Sequence, residues 1–184
     1  MRRLNLIWGI RGLPGPSPDV AVIPGVRRKR DPQRTVFDVV REGTRPSLVI
    51  EIVSSTDAEI RANDYEKKVE IYQRAGIPEY LILDPPTAFT QGRLLLTGYR
   101  LGSKGRYKKI APDRQGRLLS ETTGLLFGAA DDGRTIRIFQ AASGEPLLTP
   151  LELEAIQRTA EERAQAAEAE IARLRTEMER RGGG

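Results

Sequence analysis

Cysteine and histidine are both absent from these 184 residues. Without cysteine there is no disulfide framework, no thiol nucleophile and no zinc–thiolate site. Without histidine, imidazole catalysis and His-based metal sites are excluded as well. Acid–base or metal chemistry must use Asp, Glu, Lys or Tyr. A metal held by carboxylates alone would be hard, magnesium or manganese. No apolar run approaches the roughly 20 residues of a membrane helix. The opening stretch, MRRLNLIWGIRGLPGPSPD, begins basic, but Pro14, Pro16 and Pro18 soon interrupt it. It has neither the long apolar core nor the small-residue cleavage site of a secretory signal. The expectation is a cytoplasmic protein with no membrane partner.

What is present suits a soluble fold. Hydrophobic residues make up 39% and charged residues 30% of the chain, and the length fits one domain plus an extension. The net charge of +5 is unevenly spread: residues 151–184 hold 8 Glu and 6 Arg, a net of −2, which leaves +7 on the rest. A basic body suits a polyanionic partner such as nucleic acid.

The most informative stretch is LVIEIVSSTDAEIRANDYEKKVEIYQRAGIPEYLILD, residues 48–84, which reads as strand, helix, strand. In the first strand Leu48, Val49, Ile50, Ile52 and Val53 surround a single charge, Glu51. A strand apolar on both faces is central in its sheet and covered on both sides. An ionised carboxylate there is costly unless it is paired. Glu51 therefore needs either a buried basic partner or a bound cation. Thr56 and Glu59 fit a capping box, so the helix should start near Asp57; Gly76 and Pro78 end it. Ile60, Tyr65, Val69, Ile71, Tyr72 and Ala75 form one apolar arc on the helical wheel. Lys68 falls near the middle of that arc and Asp64 lies within it one turn earlier. A surface i, i+4 ion pair is the plain explanation, but it accounts poorly for a pair that interrupts the buried stripe.

Elsewhere, PDVAVIP at residues 18–24 predicts a short strand with Asp19 at its start; taken alone, Asp19 is a turn residue after Pro18. Trp8 reads as a packing residue. Arg27, Arg28, Lys29 and Arg30 form a basic cluster, either a solvated surface or a phosphate contact. A short strand is expected at Val36–Val40, and Asp84 at a strand end reads as a turn signal. Residues 93–101 and 106–110 read as strands joined by a GSKG turn; 116–127 as a short strand running into a loop; DDGR at 131–134 as a turn leading into TIRIF. Together these predict one antiparallel meander. From 151 to 181, Leu153, Ile156, Ala160, Ala164, Ala167, Ile171, Leu174 and Met178 recur at spacings of three and four. That predicts an amphipathic helix with a coiled-coil seam and one irregular step between Ala160 and Ala164. Self-association and packing back onto the body are both open to it.

The ordered set of PDVAVI, the E-x-V-S strand from Glu51, D-x-x-x-K-x-x-x-Y from Asp64 to Tyr72, GIPEYLILD and the DDGRTIRIFQAASGEPLLTP ending resembles the Uma2 (Uma-two) family. That family is a restriction-endonuclease-like branch of the PD-(D/E)XK nuclease superfamily. The resemblance spans residues 18 to about 148. It implies an α/β (α+β) fold: a mixed sheet core flanked by helices in residues 1–150, followed by a long C-terminal helix in 151–184. It implies magnesium- or manganese-dependent cleavage of DNA, with Asp19 and Glu51 holding the metal. The superfamily lysine belongs two residues after the Glu, where this chain has Val53; Lys68 on the helix would replace it. Asp64 would position Lys68 or add a ligand. Tyr72 would be a core residue first, with a hydrogen bond in the site as a further role. Arg27–Arg30 would contact nucleic acid. Relatives carry a helical region before the Pro-Asp strand, which this short N-terminus is expected to lack, leaving one sheet face poorly covered. A different class remains: a non-catalytic binding or assembly protein on a nuclease scaffold, acting through its helical tail. Glu51 and Lys68 would then form only a structural pair.

Overall fold

The structure, a computed structural model, describes residues 4–26, 35–54 and 58–182. The chain divides into two compact units, Met1–Pro146 and Leu147–Gly184.

Ten strands form three sheets among the described residues of the first unit. In chain order, β1 (Asn5–Ile7) pairs in parallel with β3 (Val36–Asp38), while β2 (Val20–Val22) joins the main sheet. Helix α1 (Val39–Glu42) follows β3 directly. The strand expected at Val36–Val40 is therefore cut short. The reason is local: Asp38 Oδ1 accepts from the Val40 and Arg41 amides at 3.0 and 3.1 Å, an N-cap that turns the chain into a helix. Gly43, at φ 65°, ends that helix in the left-handed conformation that favours glycine.

The main sheet runs β2-β4-β5-β6-β7, where β4 is Leu48–Ile52, β5 is Glu79–Asp84, β6 is Leu95–Leu101 and β7 is Tyr107–Lys109. Strands β4 and β5 are parallel, in the register Glu51↔Ile82, and every other neighbour is antiparallel. A parallel pair needs a crossover, and the helix between β4 and β5 supplies it. That helix has three parts: α2 (Ala58–Ala62), a π-helical turn (Asn63–Lys67) and α3 (Lys68–Arg74). The capping box expected at Thr56 and Glu59 lies outside the described side chains.

Both faces of the central strands are buried, as their composition predicts. On the helix side, Val49, Val53, Tyr80 and Ile82 pack with Tyr72, Ala75 and Ile77, and with Leu6, Trp8, Phe37 and Val39. The N-terminal segment thus packs on the face expected to be poorly covered. Trp8 is a packing residue, with its indole N–H donated to the Pro14 carbonyl at 2.9 Å. On the other side, Leu48, Ile50 and Leu81 pack with Leu118 and Phe127. These last two belong to a separate antiparallel sheet of β8 (Leu118–Ser120), β9 (Leu125–Ala129) and β10 (Ile136–Gln140). Two expectations are corrected here. Residues 125–129 form a strand and not a loop, and the second half is divided between two sheets instead of one meander. The alternation of Leu126 and Phe127 was too short to separate strand from loop. The partition between sheets depends on Gly98 in β6. A Cβ there would stand 2.8 Å from Leu81 Cδ2 and 3.2 Å from Leu118 Cδ1, so glycine lets the second sheet approach.

The second unit is helix α4 (Pro150–Gly182). Thr149 and Glu152 close a capping box: the Glu152 amide donates to Thr149 Oγ1 at 3.2 Å and the Thr149 amide to Glu152 Oε2 at 2.7 Å.

Candidate active site

Glu51 lies in the middle of β4, 2% exposed, with Val49 and Val53 on the same helix-facing side. Its two oxygens have different partners. Oε1 accepts from the Tyr72 hydroxyl at 2.6 Å, and Oε2 lies 2.9 Å from Lys68 Nζ. Lys68 Nζ also lies 2.6 Å from Asp64 Oδ1. Asp64, Lys68 and Tyr72 come four residues apart, so successive turns of the crossover helix aim all three at one strand residue. The π turn sits where this happens. Its wider winding gives the Lys68 amide a bond to the Asn63 carbonyl, and the Tyr80 hydroxyl reaches up from β5 to the Asp64 carbonyl at 2.9 Å. Such turns are commonly found at functional sites.

Asp19 arrives from the neighbouring strand. The antiparallel pairing Val20↔Ile50 places Asp19 across from Glu51, one step beyond the end of β2. Its Oδ2 accepts from the Ile52 amide at 2.8 Å, which holds the carboxylate over the end of β4. Asp19 is solvent-exposed while Glu51 is not.

The electrostatics are asymmetric. Burial pushes the Glu51 pKa above the ordinary glutamate value; the Tyr72 and Lys68 hydrogen bonds and the Lys68 charge oppose this, and the Asp19 charge adds to it. At Lys68 burial works against the ammonium, but hydrogen bonds to Asp64 and Glu51, with their charges, carry its pKa above the ordinary lysine value. Burial and the nearby Glu51 charge push the Tyr72 hydroxyl up as well, so it stays protonated and donates. The centre holds one fixed ammonium between two buried carboxylates, with a third carboxylate at its open edge.

Of the residues singled out in the sequence, the structure places Glu51, Asp64, Lys68 and Tyr72 in direct contact and sets Asp19 across from Glu51 on the neighbouring strand. Tyr72 is both core residue and site residue: it is fully buried and bonded to Glu51. Arg27, Arg28, Lys29 and Arg30 lie outside the described residues. Asp84 is not a turn signal. It is 1% exposed and grips Arg61 through both carboxylate oxygens, one at 2.9 Å, while the Tyr65 hydroxyl donates to Oδ2 at 2.9 Å. Alternation along EYLILD could have shown this, because Tyr80, Ile82 and Asp84 share the face that Glu51 occupies on β4. Sequence reasoning also missed Glu79, fully buried on the opposite face. Arg100 Nε, Ser120 Oγ, the Glu121 amide, and the Thr122 amide and hydroxyl all donate to it. Those donors lie more than 20 residues away, so no local pattern announces them.

A hard cation fits the donor chemistry. Asp19 and Glu51 offer carboxylate oxygens from neighbouring strands, a set suited to an ion that keeps several waters. These two would be its protein ligands; among the described residues there is no group of three or more acidic side chains that could hold a metal.

No curated protein matches the chain. The family model described as "Putative restriction endonuclease", Uma2, matches residues 3–142. That match takes in β1 through β10 and every residue of the Asp19–Glu51–Lys68 centre, and the chain belongs to the Uma2 family.

Proposed function

We propose that the protein is a magnesium-dependent endonuclease that hydrolyses phosphodiester bonds in DNA. One observation carries the reading: the Lys68 ammonium is shared by Glu51 and Asp64, and strand pairing sets the Asp19 carboxylate across from Glu51. Membership of a family described by restriction-endonuclease activity supports it.

Asp19 and Glu51 would hold magnesium or manganese. When bound, such an ion polarises a phosphate and lowers the pKa of a coordinated water. The chain's own groups have separate tasks. The Tyr72 hydroxyl keeps its proton and orients Glu51 through Oε1. Asp64 holds the Lys68 ammonium together with Glu51. Lys68, with its pKa raised, stays an ammonium at neutral pH. That suits it to stabilise charge gathering on the phosphate and to hold a water by donation, not to remove a proton. The +7 body and the Arg27–Arg30 cluster supply phosphate contacts, which strengthen at low salt.

The test is nicking or linearisation of plasmid DNA with magnesium. The wild type is expected to cleave. Glu51→Ala should lose more than the about 10–100-fold that removal of an outer-shell partner costs, and Lys68→Met should lose comparable activity while still binding DNA. No cleavage by the wild type with magnesium or manganese, or equal rates in Glu51→Ala, would overturn the proposal.

A further inference from the structure

Helix α4 carries an apolar stripe with nothing against it among the described residues of its own unit. Leu153, Ile156, Ile171, Leu174 and Met178 are between 46% and 73% exposed. Charges flank the stripe in an informative pattern. Taking Ala164, Ile171 and Met178 as a positions and Ala167 and Leu174 as d positions, Arg163 and Glu170 occupy g, and Glu168 and Arg175 occupy e. In a parallel pair each g residue meets the e residue of the following heptad on the other helix. Arg163 then meets Glu168 of the second copy, and Glu170 meets Arg175 of the second copy. Both pairs are of opposite sign, and two-fold symmetry repeats each.

The irregular step adds a constraint on register. Between Ala160 and Ala164 the stripe advances four residues where a regular seam advances three. Such an insertion locally changes the supercoil. A parallel, in-register pair sets this step against its own copy, whereas a shifted parallel pair sets it against a regular heptad; the charge pairs above select the parallel arrangement. The intrachain partners do not compete strongly. Glu170 pairs with Arg173 at 3.0 Å, but both are exposed, and such pairs contribute little.

We propose that α4 pairs with α4 of a second copy of this chain as a parallel, in-register, two-stranded coiled coil. The particle would then carry two copies of the first unit. Ala160, Ala164 and Ala167 bury little area, so the dimer should form and dissociate with concentration. The pairing does not depend on the nuclease reading.

Light scattering of the full chain, over about 5–200 µM, tests it. The expected mass rises to twice the 20.5 kDa of the chain and returns to the monomer in Ile171→Asp. Glu170→Arg should weaken the dimer about tenfold, and Glu170→Arg with Arg175→Glu should restore it. The absence of native cysteine makes orientation readable. Met178→Cys puts one thiol at an a position near the end of the helix, where only a parallel pair brings it to its own copy, so oxidation should link two chains at least about tenfold faster than in Ala172→Cys, whose thiol points outward. A monomeric mass throughout, as expected if α4 instead folds against its own chain, overturns the proposal. So does a larger assembly, or a dimer in which the two cysteine variants link equally.

Discussion

Glu51 and Glu79 are both nearly inaccessible glutamates in central strands, yet their surroundings push them in opposite directions. Glu79 is buried too, but Ser120, Thr122, Arg100 and the Glu121 amide outweigh the burial and hold its pKa below the ordinary glutamate value of 4.5. Glu51 has two donors and a neighbouring carboxylate, and burial prevails. Linkage turns this into opposite stability slopes. Glu79 has the lower pKa in the folded state, so its contribution is complete above about pH 4.5 and fades as pH falls through the folded pKa. Glu79→Gln should therefore flatten the acid limb of the stability curve measured by denaturant titration. At pH 7, Glu79→Ala should cost about 3 kcal/mol, the lower end for a broken buried pair, because Arg100 is partly exposed. Glu51 has the higher pKa in the folded state, so ionising it works against folding as pH rises past 4.5. Glu51→Gln should melt no lower than the wild type at pH 7 while losing cleavage. That combination marks a carboxylate kept for chemistry; a drop of several degrees would mark a structural one.

At the scale of elements, the crossover helix is held at two points on the sheet. Arg61 on α2 is fastened to Asp84 at the end of β5, and Lys68 at the start of α3 is fastened to Glu51. The π turn between them sets the phase that lets both contacts form. The Arg61 guanidinium also lies 4.8 Å over the Phe89 ring. Arg61→Met should loosen the front of this helix, with amide exchange in residues 58–67 rising by about tenfold or more. Exchange in β4 and β5 should stay unchanged, and a uniform rise everywhere would mean the contact supports the whole fold. Gly98 makes the second element-scale prediction. Gly98→Ala would crowd Leu81, Ile110 and Leu118, and overpacking of this kind costs about 1–3 kcal/mol by thermal denaturation.

The molecule keeps its core in the first unit: among the described residues, the buried hydrophobic side chains run from Leu6 to Phe127. A chain ending at Pro146 should accordingly unfold cooperatively within a few degrees of the full length, measured by calorimetry. No helix among the described residues is long and apolar enough to cross a membrane. Much of this was legible beforehand. The doubly apolar LVIEI run announces a central strand, and the Asp64–Lys68–Tyr72 spacing announces a helix face aimed at it. The Glu79 cluster, the Arg61–Asp84 grip and the π turn were not legible. Each depends on which distant segments meet, or on a shift in winding too small to disturb a 3.6-residue pattern.

The amino-acid order alone determined that any catalysis here must use carboxylates, ammonium groups or tyrosine, and that one carboxylate sits where burial makes it costly. It did so because residue chemistry and periodicity are local properties. Tertiary structure decided which partner each buried charge received and hence the direction of its pKa. It also brought Asp19, 32 positions earlier in the chain, across from Glu51. That pairing belongs to strand register, which no single segment carries.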